Sequence, residues 1–287
     1  MIQQNNKTDL DLLLAMRHDN GADFWSTPDG RLGIEKPVST LTALMIMSEL
    51  NISENHEALQ GAADLVLAAV REDGRVRIAP KAAIYPCHTA HAAAALCRNG
   101  YAEDKKVQLI FAWLLANRFK DGGWRCNKFI YGRGPETEFS NPNVTLLALD
   151  AFRFSKKYQD SKALDDAAET LLDHWTVKTP VGPCHYGMGS LFMQVEYPFL
   201  RYNLFYYTYV LSFYSKARQD QRFKAAFEAL SQKLDDQQML RVEHPNRKIS
   251  HFRFCQKGRP SESATCRYDE IVKNMEEKSD NYFKDRR

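Results

Sequence analysis

No window of the sequence approaches the ~18 uninterrupted apolar residues of a membrane span, so a spanning helix is not expected. Charge of one sign is not in excess either. The 39 Lys and Arg residues are scattered among 36 Asp and Glu, the formal net charge is +3, and no basic stripe marks a nucleic-acid partner. The period-two alternation of half-buried strands is scarce, which argues against a sheet. Six cysteines occur without a Cys-x2-Cys pair, and Met1 to Thr8 lack the apolar core of a signal peptide. The expectation is a cytoplasmic chain with reduced thiols. Apolar residues, by contrast, make up 44% of the 287 residues, enough for a sizeable core, and a closed repeat fold holds such a chain as a single domain.

The repeat is marked by one stretch, Phe119-Lys120-Asp121-Gly122-Gly123-Trp124-Arg125-Cys126. Asp-Gly-Gly forces a tight turn with positive φ available at two positions, and Trp124 follows as a large apolar anchor. Shorter copies stand at Thr27 to Arg31 and Arg71 to Arg75, so Asp29, Asp73 and Asp121 recur at intervals of roughly fifty residues.

Between the turns, two kinds of helix alternate. Residues 37–50, 87–97, 143–154 and 199–214 are apolar around most of their circumference, as helices buried on all sides must be. Residues 54–70, 104–117, 162–175 and 221–234 carry one apolar stripe and one polar face, as outer helices do. A last inner helix is expected at 261–275, with the first helix, 9–17, as its outer partner. The pattern specifies an all-α fold, an α/α toroid of about five inner and five outer helices. Residues 277–287 are expected to fray, and the Pro-, Gly- and basic-rich segment 242–260 reads as a long connection.

Inner helices of such a ring run the same way and gather their N-termini at one mouth. Cys87 and His88 would lie there, with Trp124 and Cys126 ahead of the third inner helix and Cys184 and His185 ahead of the fourth. Cys87, Cys126, Cys184 and His185 form a thiolate and imidazole set suited to zinc, while buried inert thiols are the plainer alternative. His91, one turn after Cys87 and His88, would face the cavity if His88 does. Tyr202, Tyr206 and Tyr209, at i, i+4 and i+7, would either wall the lumen with aromatic faces or simply fill the core. Glu196 and Arg201 flank Pro198 in apolar surroundings, as a structural ion pair or as an acid and an anion clamp.

The Asp-Gly-Gly-Trp turn between inner and outer helices resembles the repeats of the terpenoid cyclase and protein prenyltransferase superfamily. Tyr85-Pro86-Cys87-His88-Thr89-Ala90, Asp121 to Cys126 and Glu196 to Tyr207 are similar to small prenyltransferase-like and squalene-cyclase-like bacterial proteins, over residues 30–240. The resemblance implies a toroid with a central apolar cavity, an isoprenoid-like substrate and transfer or cyclisation chemistry. It also implies a zinc ligand at Cys126, which matches by position the cysteine of the prenyltransferase Asp, Cys and His set. The Asp-x-Asp-Asp sequence that protonates polyenes is absent.

On this reading Glu196, Arg201 and His88 are the candidate catalytic residues, and Trp124, Tyr202, Tyr206, Tyr209 and His91 the substrate-binding ones. A non-catalytic toroid binding a lipid or peptide is the alternative. Thiol chemistry is the third, because Cys184-His185-Tyr186-Gly187 is faintly similar to the Cys-His-Gly of toroidal lanthionine cyclases.

Overall fold

The computed structural model describes residues 2–33, 38–158 and 161–276, the side chains of residues 2–6 excepted. Pro37, expected to open the second helix, and the tail 277–287 lie outside the described residues. The helices are α1 (Ile2–Ala15), α2 (Thr40–Glu49), α3 (Glu57–Ala68), α4 (Pro86–Cys97), α5 (Lys105–Ala116), α6 (Pro142–Phe152), α7 (Asp165–Val177), α8 (Leu204–Leu211), the short α9 (Ser215–Arg218), α10 (Gln221–Ser231) and α11 (Glu262–Glu276). The protein is an all-helical α/α toroid, with only isolated β-bridges among the described residues. Around the inner ring α2 packs on α4, α4 on α6, α6 on α8 and α8 on α11, while α3, α5, α7 and α10 back the first four from outside. Arg267 of α11 closes the ring onto Glu49 of α2, Nε to Oε2 at 2.7 Å.

Burial follows the sequence pattern. All of α8, all of α6 but Asn143 and all of α2 but Ser48 are buried, whereas α5 buries only the stripe Val107, Ile110, Phe111 and Leu114. Two features differ from expectation. α11 buries only Ala264, Tyr268 and Ile271, so it closes the ring without being enclosed by it. α1 meets the approach to α11: the Asp9 carboxylate accepts the backbone N–H groups of Arg253 and Phe254.

The turn motif recurs more often in the backbone than in the sequence. At 27–31, 71–75, 119–123 and 235–239 the first residue donates to the carbonyl of the fifth, and the fourth donates back to the first. That fourth residue is left-handed each time: Gly30, Gly74, Gly122 and Gln238. A fifth, related turn places His185 in the same conformation at φ 59°. Behind the turns, Thr89, Thr145 and Thr265 of three inner helices accept the backbone N–H groups of Val76, Trp124 and Leu240. The indole N–H of Trp25 goes to the Leu13 carbonyl and that of Trp124 to the Leu114 carbonyl, each tying its turn to the preceding helix.

Gly122 has a second reason to be glycine. At φ 90°, a Cβ there would collide with the Asp166 side chain of α7. Gly122→Ala is therefore expected to destabilise the fold by about 2 kcal/mol, through left-handed strain and overpacking, as a lower urea midpoint at unchanged slope.

Candidate functional site

The far ends of the inner helices meet in a buried charge network. Glu49 closes α2, Arg98 follows α4, and Asp150 and Arg153 end α6. Arg98 reaches Glu49 (2.6 Å) and Asp150 (2.6 Å), Arg153 reaches Asp150 (2.7 Å), and all four side chains are less than a tenth exposed. The hydroxyl of Tyr197 donates to Glu49, and that of Tyr206 to Asp150. The Arg98 Nη2 has no hydrogen-bond partner, but the guanidinium lies over the faces of Phe199, Tyr206 and Tyr209, 5.4–5.9 Å from their centroids. Burial opposes ionisation of both carboxyls, yet the neighbouring arginines outweigh it and hold Glu49 and Asp150 below the usual carboxylate range.

This network places the expected aromatic wall. Tyr206 and Tyr209 are buried and spend their hydroxyls on Asp150 and Glu270. Tyr202 does not share their face, because Asn203 caps α8 by accepting the Tyr206 N–H and the helix starts only at Leu204. Its hydroxyl meets His174 Nδ1 of α7 at 2.9 Å instead. The three tyrosines fill the ring rather than line one lumen face. Trp124 is sealed in the core at 1% exposure, stacked on Phe152.

The opposite end is open. A cavity of about 480 Å³ is lined by Thr42 near the start of α2, His91 of α4, Leu200 and Arg201 ahead of α8, and His244 with Asn246, Arg247 and Lys248 ahead of α11. Among the described residues, none that lines it is acidic. Glu196 stands behind it, buried, its Oε1 2.7 Å from Arg201 Nε. Burial raises the Glu196 pKa while the Arg201 charge opposes the shift. Desolvation, then the charges of Arg201, Lys257 and Arg247, lower that of His244, as expected at a mouth of positive potential.

Beside the cavity lies the thiol cluster. Cys87, four residues before His91, stands at the start of α4 behind Pro86. Cys126, buried ahead of α6, has its backbone N–H held by Asn141 Oδ1. Cys184 Sγ sits 3.4 Å from the Cys126 carbonyl and 3.5 Å from that of Phe129. The neighbouring Cys87 thiol, with a smaller effect from Cys184, draws the Cys126 pKa down to about 6 against desolvation, and the reciprocal effect, with burial, pushes Cys87 up. His88 packs edge-on to Tyr85 with Nε2 buried and unpartnered, and desolvation lowers its pKa to about 4. His185 does not join the cluster: its turn directs Nε2 to Glu136, 3.7 Å away.

The expected zinc set is thus assembled only in its three sulfurs. Among the described residues, no group of three or more His, Cys, Asp or Glu side chains is disposed to hold a metal ion. Sequence reasoning missed His244, Arg247 and Lys248, which it left in a connection, and the central network. The network did leave a trace, since Glu49 and Asp150 are lone carboxylates in otherwise apolar helices.

No protein-family model and no curated protein matches the chain. Among solved structures it is similar to two variants of the type II terpene cyclase MstE from Scytonema. The first is in complex with its product merosterolic acid A: 14% identity, TM-score 0.46, covering 96% of this chain and 80% of that one. The second is in complex with its substrate geranylgeranyl dihydroxybenzoate: 14% identity, TM-score 0.46, covering 96% and 79%. Among the described residues no helix is long and apolar enough to cross a membrane.

Proposed function

We propose that this toroid is a prenyltransferase- or terpene-cyclase-like enzyme whose substrate joins an isoprenoid-like apolar chain to an anionic head group. The supporting observation is the cavity at the mouth of the inner ring, of a size ordinary for small-molecule sites, with His91, Arg201, His244, Arg247 and Lys248 on its wall and no acid among its described lining residues. Such a wall neutralises a phosphate, diphosphate or carboxylate and stabilises charge that grows on it as a bond breaks. Glu196, its pKa raised by burial against the Arg201 charge, would orient that arginine toward the bound head group. The chemistry proposed here is carried by these side chains. Zinc assistance would need the cluster to rearrange around the three sulfurs, without His185.

Calorimetric titration with geranylgeranyl diphosphate, followed by mass spectrometry of the products, tests the reading. Binding that weakens with added salt is expected. Combined Arg247→Glu and Lys248→Glu substitution is expected to reduce affinity about tenfold or more, roughly 1.4 kcal/mol. Equal affinity for the neutral alcohol, or no binding of prenyl diphosphates of any chain length, would sink the anionic-head proposal. Binding without turnover would leave a carrier rather than an enzyme.

A further inference from the structure

The mouth end of the ring carries two features that the cavity leaves unused. The first is apolar. Among the described residues seven large apolar side chains are exposed, and all but one stand at this end. Phe129, Ile130, Tyr131 and Phe139 lie on the connection into α6, Val177 ends α7, and Leu191 lies on the connection into α8. Ile130 and Tyr131 are 70% and 65% exposed, and Phe129 stacks on Tyr131 with ring centroids 5.6 Å apart. The Tyr131 N–H donates to the Pro183 carbonyl at 2.9 Å, which ties this tip to the neighbouring connection. The second feature is charge. Each of α3, α5, α7 and α10 ends at the mouth, where the inner helix after it begins. The four connections between them, residues 69–85, 117–141, 178–203 and 232–261, carry 18 Lys and Arg against 9 Asp and Glu, whereas the rest of the chain carries 21 against 27. One of these cations stands within the tip, with Lys128 Nζ 5.4 Å from the Phe129 centroid.

We propose that the mouth end docks on an anionic lipid bilayer, with Phe129, Ile130 and Tyr131 entering the boundary between head groups and acyl chains. Exposed apolar side chains gathered at one place and bordered by polar ones mark a surface that meets something else. The charge selects a bilayer. The excess of cations is not focused on one spot but spread over all four connections around the tip, which suits a surface that is negative throughout. Interfacial binding strengthens with buried apolar area and with the attraction of Lys and Arg to anionic lipid, and this end supplies both.

Docking also bears on the proposed substrate, and this part rests on the reading of the cavity given above. Beyond the cavity the ring is filled, because Phe199, Tyr206 and Tyr209 are at most 2% exposed and pack over Arg98. An isoprenoid tail longer than the cavity therefore leaves through the mouth. With the mouth on a bilayer, the tail stays among the acyl chains while the head group meets Arg201, Arg247 and Lys248. The apolar part of the substrate then never has to enter water.

Cosedimentation of the full chain with extruded vesicles is the test. Partition onto mixed phosphatidylcholine and phosphatidylglycerol vesicles is expected, weakening as salt is raised and falling about tenfold or more on pure phosphatidylcholine. Combined Phe129→Ser, Ile130→Ser and Tyr131→Ser substitution is expected to cut partition about tenfold or more at an unchanged urea midpoint, because these side chains are exposed. Leu109→Ser, at the exposed apolar residue outside this end, is expected to bind as the parent does. No partition of the parent, equal partition onto neutral vesicles, or parent-like partition of the triple variant would overturn the proposal. So would a concentration-dependent dimer in sedimentation velocity that the triple variant abolishes, because a second copy would then cover the tip. The triple variant keeps the cavity, so its titration with geranylgeranyl diphosphate reads the head-group proposal alone, and either proposal can fail while the other stands.

Discussion

Replacing Asp150 by asparagine is expected to cost the fold about 3–5 kcal/mol, the largest effect of any single substitution considered. The side chain is 0% exposed and takes hydrogen bonds from Arg98, Arg153 and Tyr206. Asparagine has almost the same shape, so packing is preserved and the change isolates the charge. It leaves Arg98 with Glu49 as its only carboxylate and Arg153 with none inside the ring, and it sets an amide N–H₂ against groups that donate. Urea unfolding measures the loss as a lower midpoint. A change within about 0.5 kcal/mol, the range of ordinary surface substitutions, would show that the network does not hold the inner ring together. The double variant with Arg98→Met separates the cost of an unpaired charge from the worth of the pair, because removing both partners costs less than removing one.

The second expectation concerns pH. His174 is buried between α7 and the approach to α8, with Nδ1 facing the Tyr202 hydroxyl and Nε2 facing the Thr179 carbonyl. A carbonyl only accepts, so the proton sits on Nε2 and Tyr202 donates to Nδ1; the neutral ring satisfies both. Desolvation lowers its pKa to about 4, against the hydrogen bond to Thr179. Unfolded histidine titrates near 6.5, so between those values the unfolded chain binds the extra proton and stability rises with pH. The contribution is fully present above pH 6.5 and is lost progressively toward pH 4, amounting to about 3 kcal/mol. Asp150 and Glu49, both lowered, keep their contribution through this window and lose it only below the ordinary carboxylate range. Stability measured at several pH values should therefore fall first with the histidines. His174→Gln should flatten the slope between pH 6.5 and 4. An unchanged slope would place the acid sensitivity elsewhere.

Much of the ring was legible because its signals are local and repeated. Asp-Gly-Gly states its own turn, and the alternation of all-round apolar helices with one-sided ones states which layer each belongs to. The other turns were hidden because the left-handed position is held by Gln238 and His185, residues that do not announce it. Tyr202 was misplaced for a comparable reason. A period of 3.6 runs through Tyr202, Tyr206 and Tyr209, but Asn203 caps the helix between the first two, and the cap overrides the period.

The candidate site was legible in part. That Cys87, Cys126 and Cys184 share one end follows from ring geometry, since each stands ahead of or at the start of an inner helix. Which way each thiol points does not follow from it, and neither does the turn of His185 toward Glu136. The cationic wall was hidden in a segment with no helical period, because only closure of the ring lays residues 244–248 across the mouth opposite His91.

The sequence alone therefore determined most of the helical layers and their order, because burial of apolar faces depends on periodicity and periodicity is written locally. The tertiary structure decided what the ring contains. Charges and aromatic hydroxyls from the inner helices pair with one another at their far ends, and cations from separate segments converge at the mouth. Pairing of polar groups depends on which ones closure brings within about 3 Å, and no single stretch of sequence encodes that distance.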